Sequence, residues 1–80
     1  MKNIYVVFWC DCYERAVISF ETWELAVEYI ATNAWNASLG NWRSFEECYA
    51  DADDNGEIWD YRIVEVPVGN IKDISTELYD

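Results

Sequence analysis

The longest helical pattern in the sequence is SFETWELAVEYIATNAW, residues 19–35. Its apolar residues recur at steps of three and four, which places them on one side of a helix. These residues are Trp23, Ala26, Val27, Ile30, Ala31 and Ala34. Thr22 is the expected N-cap, because its hydroxyl can accept a hydrogen bond from a free amide of the first turn. We therefore predict one long helix whose apolar side is covered by strands.

Two strands are predicted before this helix. Residues 4–10, IYVVFWC, are β-branched and aromatic, as is typical of a strand. Both alternating faces are apolar, which suits a central strand covered on both sides, or covered on one side with an aromatic outer surface. Residues 11–14 are the expected turn, and residues 15–20, RAVISF, return as the second strand. The pair predicts an antiparallel hairpin that leads into the helix.

Two further elements are predicted after the helix. Ser44 and Glu47 have the spacing of a capping box, and apolar residues follow at helical spacing, so we predict a short second helix. A strand from Phe45 to Ala50 is the alternative. Residues 57–68 are the expected third strand. Its alternation breaks at Ile63–Val64, which indicates a bulge or a change of environment. Its Pro67 cannot donate to a sheet and should lie at an edge.

The order strand, strand, helix, short helix, strand predicts one α+β domain over residues 1–80. We expect a three-stranded antiparallel sheet with the long helix packed on one face. The last residues hold Ile71, Ile74 and Leu78 at near-helical spacing, which indicates one or two docked helical turns.

Charge is the most distinctive property of the composition. Sixteen acidic residues face five basic ones, so the formal net charge is −11. Such a charge repels nucleic acid and anionic membranes, so we expect neither of these as a direct partner. It attracts basic surfaces. The first apolar run is too short for a signal peptide or a membrane span, which predicts a cytoplasmic protein. The oligomeric state stays open.

The cysteines do not indicate a disulfide framework or a zinc site. There are three of them, Cys10, Cys12 and Cys48, and the sequence contains no histidine. A four-ligand zinc site would need a carboxylate as its last ligand, which is uncommon. We expect free thiols, and no metal or cofactor.

Residues 51–56, DADDNG, match the first half of an EF-hand calcium loop. The match then fails, because the closing position that needs a bidentate Glu is Arg62. An Asx-rich turn, in which Asn55–Gly56 supplies a positive φ before the strand, is the favoured interpretation. Tight calcium binding is not expected.

An enzyme is not predicted either. Without histidine, general acid–base chemistry would fall to carboxylates or tyrosine, and a cysteine nucleophile would lack its usual base. The three glycines form no phosphate-binding loop.

The acidic residues form two predicted patches. Glu24 and Glu28 are a like-charge pair on the outer side of the long helix, and the other patch is crowded into a 15-residue stretch. That patch consists of Glu46, Glu47, Asp51, Asp53, Asp54, Glu57 and Asp60. Tyr29 and Trp42 are the expected aromatic contacts beside the acids. Carboxylates can substitute for phosphates in a basic cleft, so these residues are the predicted partner-binding surface. An ordinary acidic, soluble domain would show the same charge.

In size, charge and aromatic content the chain resembles the short, acidic, single-domain proteins of bacteriophages. Some of those proteins block host restriction or CRISPR nucleases by mimicking DNA. The resemblance implies a non-enzymatic inhibitor of a basic, nucleic-acid-binding host protein, acting in the host cytoplasm. It assigns no role to an individual residue. The alternative is a small accessory or structural domain that binds an ordinary protein partner and responds weakly to calcium.

Overall fold

The structure, a computed structural model, describes residues 2–10, 13–38 and 40–68. Its elements are β1 (Lys2–Cys10), β2 (Glu14–Phe20), α1 (Trp23–Ala37), α2 (Phe45–Asn55), β3 (Glu57–Ile58) and β4 (Tyr61–Val68). The predicted turn at residues 11–14 lies partly outside the described residues, and the predicted helical turns of residues 71–78 lie entirely outside them.

The fold is α+β, but the prediction of a three-stranded sheet is wrong. The sheet has four antiparallel strands in the order β2-β1-β4-β3. The fourth strand arises because residues 57–68 are divided by a turn at Trp59–Asp60, where Trp59 has φ 56°. Two-residue hairpin turns usually contain glycine or asparagine. Trp59 is neither glycine nor asparagine, and it continues the apolar alternation of the strand. The neighbouring sequence therefore does not predict that residues 57–68 form two strands.

Of the two explanations for the break in alternation at Ile63–Val64, the bulge is wrong. β4 pairs with β1 in an unbroken register, and the register shift lies between β1 and β2, at Val7/Phe8. Both residues are apolar because β4 is an inner strand: Ile63 points toward the helices and Val64 toward the opposite side. Pro67 pairs with Asn3 on one side and lies beyond the end of β3 on the other, so that side is an edge, as predicted.

Both helices begin at the predicted caps. Thr22 Oγ1 accepts a hydrogen bond from the Leu25 amide at 3.3 Å, and Ser44 Oγ accepts one from the Glu47 amide at 3.2 Å. Residues 19 and 20 belong to β2, and α1 starts at Trp23, the first residue of its apolar stripe. Residues 45–50 are helical, which excludes the alternative strand. α2 ends at Asn55. The next residue, Gly56, caps the helix with a left-handed φ of 69°, which is incompatible with another helical turn.

The core lies between the sheet and the two helices. β1 is central, and Val7 on its helix side is fully buried against the apolar stripe of α1. α2 packs beside α1, where the buried Cys48 thiol donates to the Ala31 carbonyl at 3.5 Å. Small residues such as Ala31 let the two backbones approach closely enough for this contact. No helix in the described part of the chain is both long and apolar enough to cross a membrane.

Candidate protein-binding surface

α2 carries a dense row of carboxylates. Its buried residues, Cys48 and Ala52, hold one side of the helix against the core, so the acids face outward. The acids of α2 are Glu46, Glu47, Asp51, Asp53 and Asp54, all exposed. At 1.5 Å per residue they span about 12 Å, so their mean spacing along the helix axis is about 3 Å. Duplex DNA carries about one charge per 1.7 Å of its axis.

Within the described residues, these charges have no basic partner. The described residues form two ion pairs, Lys2–Glu21 and Arg62–Glu14, and neither includes an acid of α2. Glu46 and Glu47 lie in the first turn, where the helix dipole favours carboxylates. Asp54 lies in the last turn, where the dipole disfavours them and no basic residue is present. Folding therefore keeps the negative potential of α2 without local compensation.

Tryptophans lie on both sides of this acidic row. The indole of Trp23 donates a hydrogen bond to Asp53 Oδ1, and that of Trp42 donates one to Asp51 Oδ2 at 3.4 Å. Trp42 also packs against Trp59, with ring centroids 6.5 Å apart. Trp59 is 57% exposed, so it offers a large apolar surface beside the acids. Trp42 therefore lies beside the acids of α2.

The interpretation of residues 51–56 as a loop is wrong. Residues 51–55 are the C-terminal part of α2, and the side-chain amide of Asn55 donates to the backbone carbonyl of Asp51 at 2.9 Å. Asp51 and Asp53 turn toward different tryptophans, so their oxygens do not converge on one point. Among the described residues, no three or more cysteine, aspartate or glutamate side chains are placed so that they could hold one metal ion. Only the positive φ of Gly56 matches the predicted turn.

Glu24 and Glu28 adjoin the acids of α2. Burial raises the pKa of the Tyr49 hydroxyl, and the negative charges of Asp53, Glu24 and Glu28 raise it further. Carboxylates of both helices therefore act on one hydroxyl group. The two patches that the sequence predicts separately therefore lie on neighbouring helices, and both act on the same tyrosine.

The three remaining predicted contact residues are Tyr29, Glu57 and Asp60, none of which belongs to α2. Tyr29 is half-buried on the sheet side of α1, where it packs against Phe20 and Tyr61. Glu57 lies opposite Arg62 in the β3–β4 pair, where its charge contributes to the raised pKa of that guanidinium. Asp60 follows Trp59 in the turn, and its carbonyl accepts a hydrogen bond from the Cys10 amide at 2.8 Å.

The sequence missed Trp23 and Trp59 as members of this surface. Trp23 has the spacing of a core residue, and only its indole nitrogen reaches the acids. Trp59 looks like a strand residue, and no local signal marks its exposed turn.

The surface carries no evident nucleophile. Burial, and then the nearby charge of Asp51, raise the pKa of the Cys48 thiol, so it stays protonated near neutral pH.

No family model, curated protein or solved structure matches the chain.

Proposed function

We propose that this protein is a non-enzymatic inhibitor that occupies the nucleic-acid-binding cleft of a basic protein. The observation that carries the proposal is the row of five unneutralised carboxylates on α2, flanked by Trp23 on one side and by Trp42 and Trp59 on the other. The resemblance to small acidic phage proteins supports a bacterial defence nuclease as the partner, met in the host cytoplasm.

The surface combines two contributions to binding. Carboxylates with about half the axial charge density of DNA can pair with the Lys and Arg side chains that normally hold phosphates, and their long-range field speeds association. Trp59 can be buried in the complex, and tryptophan is among the residues that most often dominate binding energy. Charge alone would give fast but weak binding.

The proposal is tested by reversing charge on α2 without disturbing its internal hydrogen bonds. Glu47→Lys with Asp54→Lys changes two acids seven residues apart on one side of the helix. Neither carboxylate accepts a bond from a tryptophan, unlike those of Asp51 and Asp53. The dipole disfavours lysine at position 47 and favours it at position 54, so the effects on stability oppose each other. Glu21→Lys with Glu65→Lys is the matched control, since it changes the net charge equally at exposed positions outside α2. It also removes the exposed Lys2–Glu21 ion pair and the bond from Asn3 to Glu65, so circular dichroism first checks that both variants are folded.

Partners are first captured from a bacterial lysate by the parent chain and identified. Binding of the purified partner is then measured for the parent and both variants, with a duplex DNA oligonucleotide as competitor. We expect a nucleic-acid-binding partner, competition by the DNA, and slower association with the α2 variant than with the control. The complex should weaken as salt rises from about 0.1 M to about 1 M, because the Debye length shrinks from about 10 Å to about 3 Å.

A partner that binds the α2 variant as well as the control, and that still holds its DNA in the complex, would contradict the proposal. That result would favour an accessory domain with an ordinary protein partner.

A further inference from the structure

β2 is the longer of the two outer strands of the sheet. In the order β2-β1-β4-β3 it has seven residues, whereas β3, at the opposite edge, has two. Within the described residues β2 pairs only with β1, so its other side presents unpaired backbone groups. Alternate residues of such an edge direct their N–H and C=O groups outward, where another strand can pair with them.

Two large aliphatic side chains of β2 are exposed. Val17 is 48% exposed and Ile18 is 40% exposed. Ile18 pairs with Val7, whose side chain packs in the core against α1, and cross-strand partners point to the same side of a sheet. Ile18 therefore lies on the helix side of the sheet, where α1 covers it only partly.

A groove opens between β2 and α1. Its volume is about 350 Å³. Phe20 and Tyr29 pack together in it with ring centroids 5.6 Å apart, and the exposed Leu25 adds an aliphatic side chain. The residues that line the groove are Phe20, Leu25, Glu28, Tyr29, Thr32 and Asn33. An apolar surface therefore lies beside the edge of a strand.

The groove also contains one carboxylate, that of Glu28. α1 has no Lys or Arg, and the two ion pairs of the described residues involve Glu14 and Glu21, so Glu28 has no basic partner among these residues. Glu24 lies one turn before Glu28 and adds to the negative potential. The groove thus complements a segment that carries both an apolar side chain and a Lys or Arg.

A strand that pairs with β2 would present such side chains at a suitable spacing. Its alternate side chains would point to the helix side, about 7 Å apart. Leu25 and Glu28 are three residues apart in α1, about 4.5 Å along the helix axis. One side chain of the added strand can therefore contact Leu25 while the next, if it is basic, reaches Glu28.

Charge favours a partner protein over a second copy of this chain. The β2 of a second copy would offer Arg15 as its cation, but the Arg15 guanidinium already lies over Trp9 and Tyr13, 5.5 Å and 5.2 Å from their ring centroids. Two chains with a net charge of −11 also repel each other. A basic segment of another protein meets neither obstacle.

We propose that an extended segment of a partner protein pairs with β2, with an apolar side chain in the groove and a Lys or Arg two positions away on Glu28. Strand addition of this kind gains affinity from the backbone and specificity from alternate side chains. The assignment is independent of the proposed function, because the groove lies between α1 and β2 and requires no nucleic-acid-binding partner.

The first test screens a random library of seven-residue peptides, the length of β2, against the immobilised full chain. We expect the enriched peptides to hold an apolar residue and a Lys or Arg two positions apart. An enriched peptide titrated into the isotope-labelled chain should shift the NMR signals of β2 and of the residues that line the groove. A library without binders would overturn the proposal, and so would binders that lack a basic residue or that shift only the signals of α2.

N-methylation of an enriched peptide tests the backbone pairing. Alternate amides of an added strand face β2, and the others face the solvent. Methyl groups on the set that faces β2 should weaken binding by about tenfold or more, because they remove several hydrogen bonds. Methyl groups on the other set should leave most of the affinity. Equal effects of the two sets would overturn the proposal.

Thr32→Arg tests the groove, with Ala50→Arg on α2 as the matched control. Both are exposed helix positions, and each change adds one positive charge. The guanidinium at position 32 lies one turn from Glu28, so it competes for that carboxylate and repels the basic residue of the peptide. Affinity should fall by about tenfold or more in the groove variant. In the control it should fall by less than about threefold.

Equal losses in the two variants would mean that net charge alone governs binding, which would overturn the proposal. Sedimentation of the parent chain examines the other occupant. A dimer that Thr32→Arg dissociates would place a second copy on β2 and would also overturn the proposal. The comparison of N-methylated peptides decides the question if the groove variant does not fold.

Discussion

The indole of Trp23 lies directly over Gly56, so closely that a Cβ at position 56 would stand 3.0 Å from Cη2 of the ring. Gly56 also ends α2, since its amide donates to the Ala52 carbonyl at 2.8 Å. Trp23, the first residue of α1, therefore packs on the last turn of α2. Its indole N–H donates a hydrogen bond to the carboxylate of Asp53 there. One glycine lets the two helices meet beside the acidic surface.

Gly56→Ala should destabilise the protein more than Gly40→Ala. Both glycines have positive φ, so each substitution adds backbone strain of about 1–2 kcal/mol. A methyl group at position 40 meets nothing within 4 Å, whereas one at position 56 meets Trp23. Urea unfolding of both variants measures the difference. Equal losses would show that the contact with Trp23 yields without cost.

Trp59→Gly should be more stable than Trp59→Ala by about 1 kcal/mol, because only glycine adopts a left-handed φ without strain. Both variants lose the contact with Trp42, so that loss cancels in the comparison. Denaturant unfolding gives the two free energies. Equal stability would mean that the turn relaxes to another conformation once tryptophan is removed. Both variants should bind the partner less well than the parent if Trp59 is buried in the complex.

Ile30→Ala should lower the free energy of unfolding by about 2–5 kcal/mol, since Ile30 is fully buried in the core. Leu25→Ala is the control on the same helix. Leu25 is 48% exposed, so its truncation should change stability by no more than about 0.5 kcal/mol. Thermal or chemical unfolding checks both values. Similar losses for the two variants would contradict the orientation of α1.

Stability should fall as pH rises above about 10, the pKa of tyrosine in an unfolded chain. Burial, and then the charge of Asp53, raise the pKa of Tyr49 in the folded protein; burial, and then Tyr29 and Asp60, raise that of Tyr61. The folded state thus keeps protons that the unfolded state loses. The stabilisation is complete below about pH 10 and disappears as pH rises through the folded-state pKa values.

Urea unfolding at a series of alkaline pH values measures this loss. Tyr49→Phe should reduce the slope of stability against pH, and Tyr49→Phe with Tyr61→Phe should reduce it further. A slope that both variants leave unchanged would assign the alkaline loss to other groups.

Part of the acidic surface could be predicted from the sequence. The acids of α2 are contiguous, and a helix with Cys48 and Ala52 buried must direct most of its other side chains outward. Their relation to Glu24 and Glu28 could not be predicted, because it depends on how α2 packs against α1. The packing of Tyr29 could not be predicted for the same reason: on the sequence it is simply outside the apolar stripe, whereas the sheet supplies Phe20 and Tyr61 to cover it.

The sequence by itself determined the two helices, their caps and the β1–β2 hairpin, because those features depend on residues a few positions apart. Thr22 and Ser44 accept amides three residues ahead, and the stripe of α1 repeats every three or four residues. Only the tertiary structure decided that Trp59 forms a turn and packs against Trp42. It also decided that carboxylates of both α1 and α2 raise the pKa of Tyr49. Such contacts join residues distant in the chain, and the left-handed backbone of Trp59 is held by its surroundings against its own preference.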